Sequence, residues 1–326
     1  MHSRFATTAV AAACFLAALT CSPALAAASA PDEPRPHHDT ALGATVPTLL
    51  SPATANSSPP GAQGNPTIPC QAGADLRAHP RPVVLVHGTA MNAYNSWNAM
   101  APALADAGYC VYALNYGANG SPLNALGAKG TGRIEDSARE LAGYVSRVLR
   151  TTGAHAVDLV GHSLGGLMPR QYLKFEGGAS KVHRLIGLAP DNHGTTANGL
   201  DVLVKAVAPT TDVVVGPSSR QQMVGSPFLK RLNAGGDTMP GVDYTVVATT
   251  YDKMVTPYTS GFLTSPADRP EAVDNITLQH VCPTDRSGHL DTLYSPNVIN
   301  LTLDALDPAH RGTWACKARI PLLPLP

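Results

Sequence analysis

The chain has 326 residues, a formal net charge of zero at pH 7 and only 14% charged residues. So neutral a chain has neither the basic surface that nucleic-acid binding requires nor an acidic tail, which excludes nucleic acid as a partner. Hydrophobic residues make up 44% of the sequence, enough for a sizeable core, while 29 glycines and 29 prolines indicate many tight turns.

The N-terminus is typical of a secretory signal peptide, which we place at residues 1–30. Residues 5–19 are apolar but too short and too rich in alanine to span a membrane. Residues 24–26 fit a cleavage site, and residues 28–30 offer a second one. Two alternatives stay open, an uncleaved N-terminal anchor and a lipoprotein modified at Cys21. We favour secretion to the extracellular space.

The next segment, residues 31–66, is rich in Pro, Ala, Ser and Thr and holds almost no large apolar side chains. Such a segment buries too little apolar surface to offset the entropy of ordering it, which predicts a disordered linker. One folded domain is expected over residues 67–326. Because no other segment approaches the roughly 20 apolar residues that cross a bilayer, we expect a soluble protein without a transmembrane segment. We also expect it to be a monomer.

Apolar patterns along the rest of the chain predict strands that alternate with helices. Residues 82–87 are continuously apolar, as in a strand buried on both faces, whereas residues 134–150 repeat apolar side chains at helical spacing. This alternation indicates an α/β fold with a mostly parallel sheet, helices on both faces and a functional site beyond the carboxyl ends of the strands. The predicted strands are 82–87, 109–114, 156–160, 182–189, 242–250 and 275–280, and the predicted helices are 96–107, 134–150, 164–176 and 296–306.

Residues 161–165 read Gly-His-Ser-Leu-Gly between a short apolar strand and a helix-compatible stretch. This order is typical of a nucleophile elbow, in which the turn is so sharp that the serine is strained and side chains at the glycine positions would clash. We therefore predict that Ser163 is a nucleophile. The Leu164 N–H, in the first helical turn, is predicted to stabilise an oxyanion. The alternative is an ordinary serine in a glycine-rich turn.

A serine nucleophile needs a histidine base, and the histidine needs a carboxylate that fixes its tautomer; in this fold they follow in the order Ser, Asp or Glu, His. Asp252 lies at the carboxyl end of the predicted strand 242–250, whereas Asp243 begins that strand at the opposite edge and is excluded. His289 lies in a loop before the last helix, from which an imidazole reaches over the elbow. His280, in or at the end of a strand, stays as the alternative.

A second oxyanion donor is expected in the loop after the first strong strand. Thr89 lies there, and its N–H, with its hydroxyl as an addition, is the candidate; simple turn chemistry is the alternative. His87 needs only a structural role. His162 is expected to pack or hydrogen-bond beneath the turn, because the elbow points residues next to the nucleophile elsewhere.

No pattern typical of a metal or cofactor site is present, and we expect neither. Residues 127–132 look superficially like a phosphate loop, but they lack its Gly-Lys-Ser/Thr order and do not follow a strand directly, which favours a flexible loop. Asn275 begins a glycosylation sequon inside a predicted strand.

The cysteines outside the signal region are Cys70, Cys110, Cys282 and Cys316, and none has Cys-x-x-Cys spacing. An even number in an exported chain indicates disulfides, and four cysteines allow three connectivities. We favour Cys70–Cys110 with Cys282–Cys316, since each pair stays local and ties a domain end to a neighbouring element. Free buried thiols are the alternative.

Several motifs follow one another as they do in bacterial class 2 lipases of the α/β-hydrolase superfamily, which the chain resembles over residues 70–320. Some are also similar to a yeast lipase, although that enzyme has Trp-Ser-Gln at the elbow, so its substrate profile is not carried over. The motifs are residues 84–89, 95–97, 108–110, 161–166, 189–195, 252–257, 281–282 and 288–290.

The resemblance implies an α/β-hydrolase fold and a secreted serine ester hydrolase, a triacylglycerol lipase or carboxylesterase that works through an acyl-enzyme on a lipid or other ester. A polyester or cutin hydrolase and an acyltransferase with the same triad are the alternatives; a non-catalytic scaffold is disfavoured by the complete Ser/Asp/His set. The implied roles are nucleophile for Ser163, orienting carboxylate for Asp252, base for His289, oxyanion hole for Thr89 and Leu164, acyl-pocket polar residue for Asp191, and a disulfide for Cys70 and Cys110.

Residues 195–223 lie between the strand that ends at 189 and the strand before Asp252, and they contain two apolar stretches. Their position over the active-site face predicts an acyl-binding wall or partial lid that meets a lipid surface. An extra core helix is the alternative.

Overall fold

The computed structural model describes residues 54–196 and 216–321. Its centre is a six-stranded sheet with the strand order β2-β1-β3-β4-β5-β6, in which every neighbouring pair is parallel. The strands are β1 (Val83–Val86), β2 (Val111–Leu114), β3 (Val157–His162), β4 (Val182–Leu188), β5 (Asp243–Ala248) and β6 (Val273–Thr277). The predicted parallel sheet is confirmed.

The helices pack on both faces of this sheet because its central strands are apolar on both sides. In β1, Val84 and Val86 belong to one buried cluster and Val83 and Leu85 to another, as expected when successive side chains point to opposite faces. The helices are α1 (Ala93–Trp97), α2 (Met100–Asp106), α3 (Pro122–Ala125), α4 (Ile134–Thr152), α5 (Leu164–Phe175), α6 (Pro217–Gln221), α7 (Pro227–Asn233), α8 (Leu278–Val281) and α9 (Pro296–Leu306).

Two predicted elements differ from the observed ones for local reasons. The helix predicted at 96–107 is two short helices, α1 and α2, since Pro102 has no N–H for the carbonyl of Asn98 and is tolerated only in the first turn of a helix. The strand predicted at 275–280 stops at Thr277, where its pairing with Ala248 ends. His280 therefore lies on the short helix α8 and not in a strand.

The ordered domain begins before residue 67, because the described part of the predicted linker, residues 54–66, packs on the sheet. The Gln63 N–H donates to the Val111 carbonyl at 2.9 Å, and the Ala113 N–H donates to the Gln63 carbonyl at 2.9 Å. Composition predicted disorder from the lack of apolar side chains, but the edge strand offers backbone partners that need none. The predicted signal peptide and residues 31–53 of the predicted linker lie outside the described residues.

Both favoured disulfides are present, Cys70–Cys110 and Cys282–Cys316, each with Cα atoms 5.2 Å apart. The second one ties the C-terminal segment to the loop after α8, where the Arg286 N–H donates to the Arg319 carbonyl at 3.0 Å. Among the described ranges, no helix combines the length and the apolar character that a membrane span needs.

Candidate active site

Ser163 lies at a sharp turn between β3 and α5, as the sequence predicts. Its φ of 54° and ψ of −124° are rare for a residue other than glycine. The Ser163 N–H is fixed by the Leu188 carbonyl of β4 at 2.9 Å. Flanking glycines are required, since a Cβ at Gly161 would overlap the Gly165 carbonyl and a Cβ at Gly165 would overlap the Val86 carbonyl. The strained conformation is thus held by close backbone packing.

His289 and Asp252 form a buried pair at the carboxyl ends of the strands. The His289 Nδ1 donates to Asp252 Oδ2 at 2.8 Å, and the other carboxylate oxygen accepts from the N–H groups of Met254 and Val255, both at 2.8 Å. Because Nδ1 carries the proton, Nε2 of the neutral ring has a free lone pair. The pair is therefore arranged as a general base with its orienting carboxylate.

The electrostatics of the pair favour an ionised carboxylate beside a histidine of increased proton affinity. Burial by itself would raise the pKa of Asp252, but the charge of His289, its hydrogen bond and two backbone N–H groups lower that pKa overall. Burial would lower the pKa of His289, and the charge and hydrogen bond of Asp252 raise it overall. The ring therefore takes up a proton more readily than an isolated buried imidazole.

The alternative base, His280, and the excluded carboxylate, Asp243, lie away from this pair. His280 is exposed on α8, and Asp252 is bonded to His289 instead. Asp243 lies at the opposite end of β5, where it forms ion pairs with Arg184 and Arg269. The structure therefore brings neither His280 nor Asp243 to the His289–Asp252 pair.

His162 connects the elbow to the loop that carries His289. Its Nε2 lies 3.0 Å from the His289 carbonyl, and the centroids of the two rings are 4.7 Å apart. Because Ser163 follows His162 in the chain, this bond ties the backbone of His289 to the residue that precedes the serine. The sequence predicts packing or hydrogen bonding for His162, and the structure has both.

The loop after β1 lies against the elbow. A Cβ built on Gly88 would be 3.2 Å from the Cβ of Ser163, and Ala90 has a φ of 56°. The Thr89 hydroxyl is held by the side chain of Gln222, with its oxygen 3.0 Å from Oε1 and 2.9 Å from Nε2. Leu164 is the first residue of α5, so its N–H has no partner inside that helix.

His87 supports this loop from below. It is completely buried and stacked on Tyr116 at a centroid distance of 4.3 Å, and the Tyr116 hydroxyl donates to its carbonyl at 2.6 Å. Burial lowers the pKa of His87 to about 4, so the ring is neutral at pH 7. The structural role predicted for it fits these contacts.

Asp191 follows β4 and is 1% exposed. Among the described residues, neither of its carboxylate oxygens has a hydrogen-bond partner. Burial raises its pKa to about 7, and the charges of His289 and Asp252 act on it as well. The side chain is therefore a buried acid close to the His–Asp pair.

Two features of the site had no signal in the sequence. Gln222 follows α6 and reaches Thr89 across 133 residues without any motif. Asp285, fully buried, accepts from the Ser287 N–H at 2.8 Å, from the Ser295 hydroxyl at 2.6 Å and from the Asn297 amide at 2.8 Å. This network holds the loop in which His289 lies.

The predicted wall or lid, residues 195–223, lies mostly outside the described residues. Its described ends are joined, since the Thr195 N–H donates to the Gln222 carbonyl at 3.0 Å and the Val224 N–H donates to the Thr195 carbonyl at 3.2 Å. The segment therefore leaves and rejoins the domain beside the residue that holds Thr89. Within the ranges that the structure describes, no three His, Cys, Asp or Glu side chains are grouped as for a metal ion.

A parallel sheet with a strained serine after β3, an aspartate after β5 and a histidine before the last helix defines an α/β hydrolase. The sequence profile of the family described as lipase (class 2) matches residues 80–273, more than half of the chain. The chain belongs to this family. The resemblance stated from the motifs is confirmed.

A solved structure shares the fold. Aspergillus fumigatus lipase B superimposes with a TM-score of 0.55 and 23% identity, over 78% of this chain and 56% of that one. Bacillus licheniformis lipase BlEst2 has a TM-score of 0.48 and 18% identity, over 76% of this chain and 96% of that one. The chain thus spans little more than half the length of the Aspergillus lipase B.

Proposed function

We propose that this protein is a secreted serine ester hydrolase, a triacylglycerol lipase or carboxylesterase, with Ser163, Asp252 and His289 as its triad. The observation that carries the proposal is the 2.8 Å hydrogen bond between His289 and Asp252. The loop that contains His289 is in turn bonded to His162, the residue before Ser163. A base oriented by a buried carboxylate beside a strained serine is suited to acyl transfer.

In the proposed reaction His289 Nε2 takes the proton of the Ser163 hydroxyl as Oγ attacks the ester carbonyl carbon. The negative oxygen of the tetrahedral intermediate accepts hydrogen bonds from the N–H groups of Thr89 and Leu164. Asp252 stabilises the imidazolium, which then gives its proton to the leaving alcohol. Water, deprotonated by His289, attacks the acyl-enzyme, and the carboxylic acid leaves as Ser163 recovers its proton.

For the substrate, we propose water-insoluble esters with medium or long acyl chains. The two described ends of residues 195–223 meet where the Thr195 N–H bonds to the Gln222 carbonyl, and the Gln222 side chain holds Thr89 of the proposed oxyanion hole. Val224, which follows the segment, is 54% exposed. Asp191 is proposed to line the acyl pocket, where its raised pKa of about 7 brings the uncharged form, which tolerates an apolar chain, within reach near neutral pH.

The proposed layout is a signal peptide at residues 1–30, a linker, and a catalytic domain over 67–326 preceded by the packed segment 54–66. Two disulfides support export, because such bonds persist in oxidising compartments. We propose a monomer without a cofactor.

The test is a panel of esters from C2 to C18 and an emulsified triglyceride, assayed with the wild type and with Ser163→Ala. We expect hydrolysis of the long esters and the emulsion by the wild type, and a loss of several orders of magnitude in the variant. Activity confined to acetyl and butyryl esters would demote the protein to a simple carboxylesterase. Products formed with an added alcohol in preference to water would make it an acyltransferase.

A further inference from the structure

The nucleophile elbow and the loop that carries His289 are joined by a side-chain bond that the proposed triad does not include. His162 is the last residue of β3, is 1% exposed and directly precedes Ser163. A carbonyl oxygen only accepts, so the 3.0 Å contact requires that His162 Nε2 donates to the His289 carbonyl.

The same carbonyl has a second donor on its other side. The Thr292 hydroxyl donates to it at 2.7 Å, and Thr292 is fully buried. Two donors on one oxygen leave little freedom for the backbone of His289. The Thr292 bond is local to the loop, whereas the His162 bond crosses to the strand that ends at Ser163.

His162 can hold the His289 carbonyl because it does not compete with His289 for the proton that the proposed base takes up. Burial, together with the nearby charge of His289, lowers the pKa of His162 to about 3. Its ring lies 4.7 Å from that of His289, and a second cation at this distance would repel the imidazolium that forms in the reaction. The proton on Nε2 is therefore committed to the carbonyl and the ring remains neutral.

We infer that His162 is a positioning residue for the reaction: its Nε2–H fixes the backbone of His289, and so the imidazole, at a set distance from Ser163. This inference rests on the proposed function. A misplacement of about 1 Å in a reacting group costs on the order of 100-fold in rate, so one such bond affects kcat without touching the substrate.

The test compares His162→Phe, which keeps an aromatic ring but removes the donor, with His162→Gln, whose amide N–H reaches about as far as Nε2. Each variant is titrated with an organophosphonate, so that kcat is expressed per reactive site and unfolded protein is not counted. For His162→Phe we expect kcat on a soluble ester to fall roughly 10- to 100-fold at nearly unchanged KM. For His162→Gln we expect most of the lost kcat to return.

Thr292→Val removes the other donor to the same carbonyl and tests whether the loss of kcat is caused by movement of the His289 backbone. We expect a lower kcat in this variant also, and a loss in the double variant with His162→Phe that exceeds the product of the single losses, because the carbonyl then lacks both of these donors. The matched control is His183→Gln on β4, whose Nδ1 bonds to Asp158 Oδ1 at 2.9 Å. It is expected to change thermal stability but not kcat per site.

The outcomes separate the two proposals. Wild-type kcat per titrated site in His162→Phe, or an equal loss in His162→Gln and His162→Phe, would overturn the positioning role while leaving the triad intact. Residual hydrolysis in Ser163→Ala would instead overturn the proposed function itself.

Discussion

The hydrogen bonds of Asp252 determine what an Asp252→Asn substitution would do to the base. Oδ1 accepts two backbone N–H groups, from Met254 and Val255, and Oδ2 accepts from His289. An asparagine can satisfy two N–H donors only with its oxygen, so its NH2 group must face the histidine. His289 Nδ1 would then have to accept, and the proton would move to Nε2, where the lone pair is needed.

The size of the loss follows from this tautomer change. Removing the charge while keeping the geometry of a serine triad lowers kcat about 10⁴-fold, which corresponds to about 5.4 kcal/mol in the activation free energy. The pH dependence changes as well. The raised pKa of His289 places the acid limb of kcat/KM above the limb that an unperturbed histidine gives, and loss of the Asp252 charge moves that limb to lower pH.

The assay is hydrolysis of a soluble ester between pH 5 and pH 10, with active sites titrated by an organophosphonate. Asp243→Asn is the matched control, because Asp243 begins the same strand at the opposite edge and pairs with Arg184 and Arg269. We expect the control to affect stability alone. More than a few per cent of wild-type kcat in Asp252→Asn, or an acid limb that does not move, would refute the role given to the carboxylate.

Three further predictions follow from other contacts. Asp191→Asn mimics the protonated acid. Since the folded pKa of about 7 exceeds the unfolded value, ionisation of Asp191 destabilises the wild type as pH rises towards 7. Urea unfolding should therefore show the variant to be more stable than the wild type by on the order of a few kcal/mol at pH 8, but not at pH 4. Gln222→Leu frees the Thr89 hydroxyl and should lower kcat about tenfold, less than the loss of a direct oxyanion donor; an unchanged kcat would show that Thr89 needs no support. Replacing Cys282 and Cys316 by alanine opens a loop of 34 residues and should cost about 2–4 kcal/mol of unfolding free energy, and a smaller change would mean that the C-terminal segment is held by its other contacts.

The parts of the site whose placement could be predicted from the sequence are those whose positions follow from the order of elements. A serine after one parallel strand and an aspartate after a later one must both lie at the same edge of the sheet, and the loop just before the last helix brings His289 to that edge. The strands themselves could be predicted from continuous apolar runs, as at residues 82–87. Each of these signals lies in a short stretch of sequence, so it can be recognised without knowledge of how distant segments pack.

What the sequence did not predict depends on contacts between distant segments. The Gln222–Thr89 pair joins residues 133 apart, and nothing in either neighbourhood marks it. The packing of residues 54–66 uses backbone groups, which leave no trace in composition. The end of β6 at Thr277 is set by its register with β5 rather than by the residues that follow it.

The most direct test of the central claim is labelling with an organophosphonate followed by peptide mapping of the wild type and of Ser163→Ala. The proposed triad predicts one label per chain, on Ser163, with loss of ester hydrolysis in proportion to labelling and no label in the variant. A label on another residue, or full hydrolysis after stoichiometric labelling of Ser163, would contradict the account.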